Sequence, residues 1–180
     1  MARVQRGEQA AFGRLLSRHL DSVHRYLVRL TGSDADADEL AQETFLRVWQ
    51  RAGSYRPGTV KLGTWLHRIA HNLAVDELRK RRPEGQPAEE PKDESLNPET
   101  LAASSQTGAR LKDALGALPQ SQRAALLLCQ VQGFSNSDAA AILGVTVRGL
   151  ESLIARARRT LRDALLDAAE DGRRQQGRGT

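Results

Sequence analysis

The sequence predicts an all-α fold: two small helical domains joined by a flexible acidic linker, the C-terminal one containing a helix-turn-helix. Apolar residues recur every three or four positions throughout, and no stretch alternates with the period of a strand. Residues 83–109 hold four prolines, six acidic residues and no aromatic residue, so they cannot bury enough apolar surface to order themselves. We therefore expect a domain at residues 1–82, the linker at 83–109, a second domain at 110–170 and a disordered tail at 171–180.

Charge follows the same division. Residues 1–82 carry 15 Lys and Arg against 9 Asp and Glu, whereas residues 83–109 carry 1 against 6. Residues 110–180 carry 11 against 7. Two basic blocks on either side of an acidic tether are typical of two modules that bind a polyanion.

The first two helices have clear end signals. Apolar residues keep a helical rhythm over residues 8–30, and Gly32 stops that helix. Ser33 or Asp34 can cap the second helix, whose first turns are crowded with acidic residues that the helix dipole favours. This helix is expected to run to about Ala52.

The third helix ends in a basic run. A turn at Pro57-Gly58 precedes it, and the apolar pattern predicts a helix from near Thr64 to residues 79–82. Pro83 breaks it. Cations at a helix C-terminus are favourable in any protein, but four in succession exceed what that effect requires.

A helix-turn-helix is predicted at residues 133–162, above helices expected at 111–118 and from about Gln120 to Gln132. Ser135 or Ser137 can cap its first helix, Gly144 suits the turn and Thr146 can cap its second helix. Opposite the apolar stripe of that second helix stand Arg148, Ser152, Ala155, Arg156, Arg159 and Arg162. A solvated helical hairpin is the alternative, but the turn, two caps and basic face together favour DNA binding.

Composition excludes several classes of protein. The single cysteine, Cys129, lies in an apolar run and is expected to be a buried structural thiol. The four histidines have no cysteine or carboxylate grouping that indicates a metal site, and no cofactor is expected. Since no signal peptide is visible and no apolar run approaches the ~20 residues that span a bilayer, we expect a cytoplasmic protein without membrane insertion.

Three segments, taken in order, resemble the extracytoplasmic-function group of bacterial RNA polymerase sigma factors. DADELAQETFLRVWQ is similar to the family's core-polymerase-binding helix, and GTWLHRIAHNLAVDELRKRR to its promoter-melting and minus-10-reading helix. LPQSQRAALLLCQVQGFSNSDAAAILGVTVRGLESLIARARRTL is similar to its minus-35-reading domain. Their order, with an acidic linker between, is far more specific than a helix-turn-helix alone.

The resemblance assigns a core-polymerase-binding surface to the second helix. Its residues would be Asp38, Glu39, Gln42 and Glu43, of which the last three fall at i, i+3 and i+4 and form one polar patch. The resemblance implies that this patch docks on a coiled coil of a large polymerase subunit. A solvated helix face is the alternative.

The resemblance assigns minus-10 DNA binding to the third helix and the loop before it. The residues are Lys61, Trp65, Arg68, Asn72, Asp76, Arg79 and Lys80. Asn72 suits a base edge because its amide presents a donor and an acceptor together. Lys61 can neutralise phosphate. Trp65 is either a wedge in the DNA or a core residue, and the sequence favours core packing.

Minus-35 DNA binding is assigned to Arg148, Ser152, Ala155, Arg156 and Arg159. Leu153 stands where many members of the family have a basic residue, so we expect it to extend the core stripe instead. Implied partners are core RNA polymerase, promoter DNA and an anti-sigma factor that no residue identifies.

Two other classes of function fit the sequence less well. A stand-alone repressor or response-regulator output domain would use the same helix-turn-helix but leave the first 82 residues without a role. An enzyme would need paired carboxylates, a nucleophile motif, a phosphate loop or a metal cluster, none of which the sequence shows. The sequence therefore favours a promoter-specificity factor that performs no chemistry.

The length of the linker predicts two states. As a flexible coil, 27 residues span about 30 Å, and fully extended about 90 Å. The minus-10 and minus-35 elements are separated by about two and a half DNA turns, which is roughly 80 Å at about 34 Å per turn. We therefore expect a protein that is compact when isolated and that polymerase opens.

Overall fold

The structure, a computed structural model, describes residues 1–81 and 113–176, with side chains described to residue 165. The predicted linker at 83–109 lies outside the described residues. So does the start of the helix predicted at 111–118, of which residues 113–116 are helical. Within the described ranges all regular structure is helical and no strand occurs. The all-α prediction is confirmed. We call residues 1–81 the N-terminal module and residues 113–176 the C-terminal module.

The N-terminal module contains four α-helices and one short 3-10 turn. They are α1 (Ala2–Gln5), α2 (Gln9–Thr31), α3 (Asp34–Gln50), the 3-10 turn Ala52–Ser54 and α4 (Leu62–Lys80). Helix α3 stops two residues short of its predicted end because Ala52 belongs to the 3-10 turn. Helix α4 begins two residues before Thr64. No side chain caps it, so the sequence carried no start signal there.

The chain reversal between α2 and α3 uses cap residues that the sequence predicts. Gly32 adopts the left-handed conformation, with φ of 78°, and its N–H donates to the carbonyl of Val28. Ser33, rather than Asp34, caps α3 by accepting a hydrogen bond from the N–H of Asp36. The reversal therefore fixes α3 against α2.

The C-terminal module contains α5 (Gln120–Leu126), a π-helical turn (Leu127–Val131), α6 (Asn136–Leu143) and α7 (Val147–Gln176). The π-helical turn interrupts the single helix expected from Gln120 to Gln132, since the Gln132 N–H donates to Leu127, five residues back.

Two further expectations for this module are corrected. The extra residue of the π-helical turn changes which side chains face inward, and Cys129, expected to be buried, is only half-buried. The tail expected to be disordered from Asp171 is helical to Gln176. Residues 171–176 hold no proline and one glycine, Gly172, and a glycine costs a helix only about 1 kcal/mol.

The core of the N-terminal module forms where α2, α3 and α4 meet. Its largest fully buried apolar side chains are those of Val23, Tyr26, Leu27, Leu30, Val48 and Leu66. Burying each aliphatic side chain contributes about 1.5–3 kcal/mol. This packing holds the outer faces of α3 and α4 in fixed positions.

The two modules pack against each other, and their buried apolar residues form one continuous cluster. Helix α6 lies along α4, and the π-helical turn lies on α2. Ser22 of α2 donates to Oε1 of Gln132 at 2.8 Å, and the Gln132 amide donates back to the Ser22 carbonyl at 3.2 Å. The described structure is thus a docked arrangement of the two modules.

A buried arginine, Arg123, also joins the two modules. The Arg123 guanidinium, 2% exposed, donates to the carbonyl of Leu30 at the end of α2. It also donates to the carbonyls of Gly116 and Leu118 in its own module. Carbonyl groups at helix C-termini carry partial negative charge, which compensates the buried cation.

Candidate nucleic-acid interface

The helix-turn-helix is built from α6 and α7. The Ser135 hydroxyl caps α6 by accepting from the Asp138 N–H at 3.1 Å, so Ser135 rather than Ser137 is the cap. Gly144 turns the chain with φ of 68°. The Thr146 hydroxyl accepts from the Gly149 N–H at 3.0 Å at the start of α7. These predicted caps and the predicted turn are confirmed.

One side of α7 packs on the rest of its module. Leu150, Ile154 and Ala157 are buried there, and Leu153 packs at the edge of the core, as the sequence predicts. Ala140 of α6 is buried at the turn. Because this side is buried, the opposite side of α7 faces solvent.

All five residues predicted to bind minus-35 DNA are exposed on α7: Arg148, Ser152, Ala155, Arg156 and Arg159. Among the described residues no carboxylate lies within ion-pair distance of the three arginines. Arg156 Nε donates to the Ser152 carbonyl at 3.4 Å. Their guanidinium groups are therefore available to an anionic ligand.

Five of the seven residues predicted to bind minus-10 DNA are exposed on α4: Arg68, Asn72, Asp76, Arg79 and Lys80. Arg79 donates to Asp76 at 2.8 Å, and Lys80 lies 3.6 Å from Glu77. Exposed ion pairs of this kind contribute little, about 0–1 kcal/mol, and so yield readily to another anion. These residues form one polar face along α4.

Trp65 is half-buried and packs against the edge of the core. Its ring lies 5.3 Å from that of Tyr55, measured between centroids. The Tyr55 hydroxyl donates to the Val60 carbonyl at 3.0 Å, which ties the preceding loop to this pair of rings. Packing therefore accounts for the position of Trp65.

Lys61, the last of the seven, contacts the C-terminal module. Its ammonium group donates to Oδ2 of Asp138 at 2.7 Å, and the Thr64 hydroxyl donates to Oδ1 of the same carboxylate at 3.1 Å. Lys61 above all, with Ser135 and Thr64, holds the pKa of Asp138 below its usual range. Sequence reasoning did not find Thr64 or Asp138, because nothing in a local pattern reports a contact between residues more than 70 positions apart.

The flank of α4 that faces inward carries two buried histidines. The Tyr26 hydroxyl and His71 Nδ1 are hydrogen-bonded at 2.8 Å, and burial lowers the pKa of His71 to about 4. Burial also lowers the pKa of His67, whose ring meets that of Phe134 edge-on at 4.8 Å. Both rings are therefore neutral at pH 7. Across the described ranges, no group of three or more His, Cys, Asp or Glu could hold a metal ion.

The four residues predicted to bind core polymerase lie on a ridge of α3. Asp38, Glu39 and Gln42 are exposed and Glu43 is half-buried. Asp38 pairs with His24 at 2.9 Å, and Arg47 Nε donates to Glu43 at 2.7 Å. A groove runs on each side of this ridge.

The groove between α2 and α3 is apolar and holds about 780 Å³. Its apolar lining consists of Phe12, Leu16, Leu20, Ala41, Phe45, Leu46 and Trp49. Leu46 is 50% exposed, and Asp38 and Gln42 stand at the same groove. Sequence reasoning missed it, although Leu20 and Leu46 are large apolar residues outside the core.

The groove between α3 and α4 is polar. It holds about 430 Å³ and is lined by charged residues that include Glu39 and Glu43. The predicted patch is thus divided between two surfaces. Asp38 and Gln42 border an apolar groove, whereas Glu39 and Glu43 border a charged one.

A helix-turn-helix docked on a second helical module with a polar outer helix defines an all-α DNA-binding protein of two modules. Two protein-family models match the chain and narrow this class of protein. Sigma-70 region 2 matches residues 15–84, and Sigma-70, region 4 matches residues 108–161.

Curated relatives agree. The ECF RNA polymerase sigma factor EcfG of Rhodopseudomonas palustris is 38% identical, over 83% of this chain and 83% of its own length. The ECF RNA polymerase sigma factor SigE of Mycolicibacterium smegmatis is 41% identical over 88% of this chain, which spans 64% of the length of that relative. The chain therefore belongs to the ECF RNA polymerase sigma factors.

Solved structures show the same fold. The sigma factor CnrH, in complex with the cytosolic domain of CnrY, superposes with a TM-score of 0.70 at 29% identity, over 93% of this chain and 94% of that chain. The sigma factor RpoE of Bartonella quintana, in complex with the anti-sigma factor NepR, gives 0.69 at 29% identity, over 86% and 96%. No helix in the described part of this chain is long and apolar enough to span a membrane.

Proposed function

We propose that this protein binds core RNA polymerase and directs transcription initiation at specific promoters, reading the minus-35 duplex and the melted minus-10 strand. Residues 1–82 would form the minus-10 and polymerase-binding domain, and residues 110–170 the minus-35 domain. The observation that carries the proposal is the pair of exposed polar faces on α4 and α7, each within a matching sigma-70 region. The protein itself performs no chemistry, since polymerase makes the RNA, and it acts in the cytoplasm.

The C-terminal module would read duplex DNA with α7. A helix fits the major groove, and arginine binds guanine through two hydrogen bonds. Arg148, Ser152, Ala155 and Arg156 would face bases, and Arg159 a phosphate. Their exposure without carboxylate partners in the described part of the chain supports this assignment.

The N-terminal module would hold the melted minus-10 strand along α4. Arg68, Asn72, Asp76 and Arg79 recur at the spacing of one helix face, and all four are exposed. Asn72 would meet a base edge, because an amide both donates and accepts.

The ridge of α3 would contact polymerase. Large exposed apolar residues bordered by polar ones mark protein interfaces, and the groove beside Asp38 and Gln42 has this character. Its acidic and amide rim suits a helix of the partner that is apolar on one side and basic at its edges.

An anti-sigma factor is the further partner we propose. The structures of CnrH and RpoE cited above contain CnrY and NepR, respectively. Those sigma factors cover nearly the whole of this chain with the same fold. A protein that holds a sigma factor away from polymerase is therefore the class of regulator that suits this chain.

Run-off transcription with bacterial core polymerase tests the function. We expect the protein to direct polymerase to a defined set of start sites on fragmented genomic DNA, mapped by sequencing transcript 5′ ends. The Glu43→Lys, Gln42→Lys double variant should lose those starts and fail to co-purify with polymerase while keeping its helical circular dichroism. Start sites that are the same with and without the protein would contradict the proposal.

A further inference from the structure

The N-terminus of α4 has the donors of an anion site. Helix α4 is 19 residues long, and no side chain caps its first turn. The free N–H groups and the helix dipole at such an end favour negative charge. The Lys61 ammonium and the Thr64 hydroxyl stand at the same end.

In this structure a carboxylate accepts hydrogen bonds from the two side-chain donors at this end. Asp138 accepts from Lys61 at 2.7 Å and from Thr64 at 3.1 Å, and the Ser135 hydroxyl donates to it at 2.7 Å. The Lys61 side chain is 76% exposed, whereas that of Asp138 is only 16% exposed. The carboxylate is therefore held on α4 with one side of its lysine partner open to solvent.

The Asp138 carboxylate belongs to the C-terminal module, whereas its lysine partner belongs to the N-terminal module. Asp138 lies in the first turn of α6, and the contact with α4 forms only while the modules are docked. Beside it, the Phe134 ring packs on His67. The same ring also lies close to Gly63, since a Cβ added at Gly63 would be 3.8 Å from it. The start of α4 is thus covered by the C-terminal module.

The donor set suits a phosphate at least as well as a carboxylate. Lysine, a hydroxyl group and helix N-terminal amides are the groups that proteins use to bind the DNA backbone. The Lys61 side chain of this pair is largely exposed, so solvent screens its attraction to Asp138 and a polyanion can compete for the ammonium group. The site also begins the helix whose outer face we assign to the minus-10 strand.

We propose that Lys61 and Thr64 bind a backbone phosphate of single-stranded DNA, and that the Asp138 carboxylate occupies this phosphate site while the modules are docked. The inference rests on the proposed DNA-binding role of α4. Docking and DNA binding then compete for one site, and each weakens the other by the same factor.

Binding of the free full-length protein to a labelled single-stranded oligonucleotide tests this. Asp138→Asn keeps the shape of the side chain and removes its charge, so affinity should rise about two- to five-fold. Glu8→Gln changes net charge equally but loses pairs with Arg3 and Arg6 instead, and should leave affinity within about 1.5-fold. An equal gain in both variants, or none in Asp138→Asn, overturns the proposal.

A second set of variants adds changes in the N-terminal module. In the Asp138→Asn background, Lys61→Gln and Thr64→Val should each return the affinity towards that of the unmodified protein. The reference is the Asp138→Asn protein with helical circular dichroism like that of the unmodified protein, and unchanged affinity in both added variants would overturn the phosphate site.

Docking itself can be followed through cysteines at Ser22 and Gln132 in a Cys129→Ser background, joined by a short bismaleimide. Oligonucleotide should slow this cross-link, and should slow it less once Lys61 is Gln. Equal slowing in both proteins contradicts competition at this site. Because none of these assays contains polymerase, a failure here is distinct from a failure to direct transcription.

Discussion

The two helices that we assign to DNA, α4 and α7, differ in how much of their surface is free. On α7 the whole predicted face is exposed, and Arg148 and Arg156 have no carboxylate partner among the described residues. On α4 only the outer face is open. Thr64 and His67 are buried under the C-terminal module, and the anion-binding end is occupied by Asp138.

This difference matches what each helix would read. Duplex DNA is present before initiation, so a surface that reads it can be complete in the free protein. A melted strand exists only once polymerase opens the promoter. We infer that docking leaves the duplex-reading surface ready while part of the strand-binding surface stays closed.

Removing the buried Arg123 side chain, which joins the two modules, should have the largest effect on stability. Arg123→Ala deletes a buried cation that links the carbonyl of Leu30 to the C-terminal module. Each buried carbonyl that loses its only side-chain donor costs about 1–3 kcal/mol, and Arg123 donates to three of them. Urea unfolding should show this loss, whereas Arg158→Ala, which removes an exposed guanidinium on α7, should change stability by about 0.5 kcal/mol or less. A similar small change in both would mean that the joint is dispensable.

Acid should destabilise the closed flank of α4. His71 has a native pKa of about 4, below the value near 6.5 expected in the unfolded chain. The unfolded state therefore binds a proton first as pH falls, so the stability that neutral His71 provides is complete above about pH 6.5 and is lost towards pH 4. We expect a loss of about 2 kcal/mol between pH 7.5 and pH 5.

Urea unfolding at both pH values measures this loss, with His71→Gln as the control. Glutamine does not titrate, so the control should show a distinctly smaller change over that interval. Parallel pH profiles for the two proteins would show that the acid sensitivity arises elsewhere.

The open face of α7 can be tested at a single side chain. Arg156→Ala should weaken binding to the preferred minus-35 duplex by about 1–3 kcal/mol, because a bidentate arginine–guanine contact has that value. Binding to a library of minus-35 variants would reveal the loss of discrimination, with Arg158→Ala as an off-face control. A uniform loss across the library would instead indicate a phosphate contact.

On the open face of α4, Asn72→Ala should have a smaller effect. One or two hydrogen bonds to the melted strand correspond to about 1 kcal/mol. The expected defect is in open-complex formation, measured by permanganate reactivity of the minus-10 region, with closed-complex binding unchanged. Normal permanganate reactivity would remove Asn72 from the assignment.

Local structure was predictable from the sequence. Ser135, Gly144 and Thr146 act at the positions predicted for them, because caps and turns depend on neighbouring residues only. The exposed face of α7 followed from the apolar stripe opposite to it. Periodicity also placed Leu153 at the core.

Contacts between the modules were not predictable. Arg123 lies 93 residues from Leu30, and Asp138 lies 77 from Lys61, with a proline-rich segment between. No local pattern reports contacts over such separations in the sequence, so only the packed structure reveals them. The π-helical turn at Leu127–Val131 was missed as well, since the apolar pattern there also fits an ordinary helix.

We infer that the modules are docked in the free protein and separate on the promoter. Fluorophores at Ser17 and Thr160, both exposed and outside the assigned surfaces, would report it by single-molecule energy transfer in a Cys129→Ser background. We expect one high-efficiency population for the free protein. In the complex with polymerase and promoter DNA, whose two elements lie roughly 80 Å apart, efficiency should be low. A low-efficiency free protein, or a promoter complex that keeps high efficiency, would contradict the account.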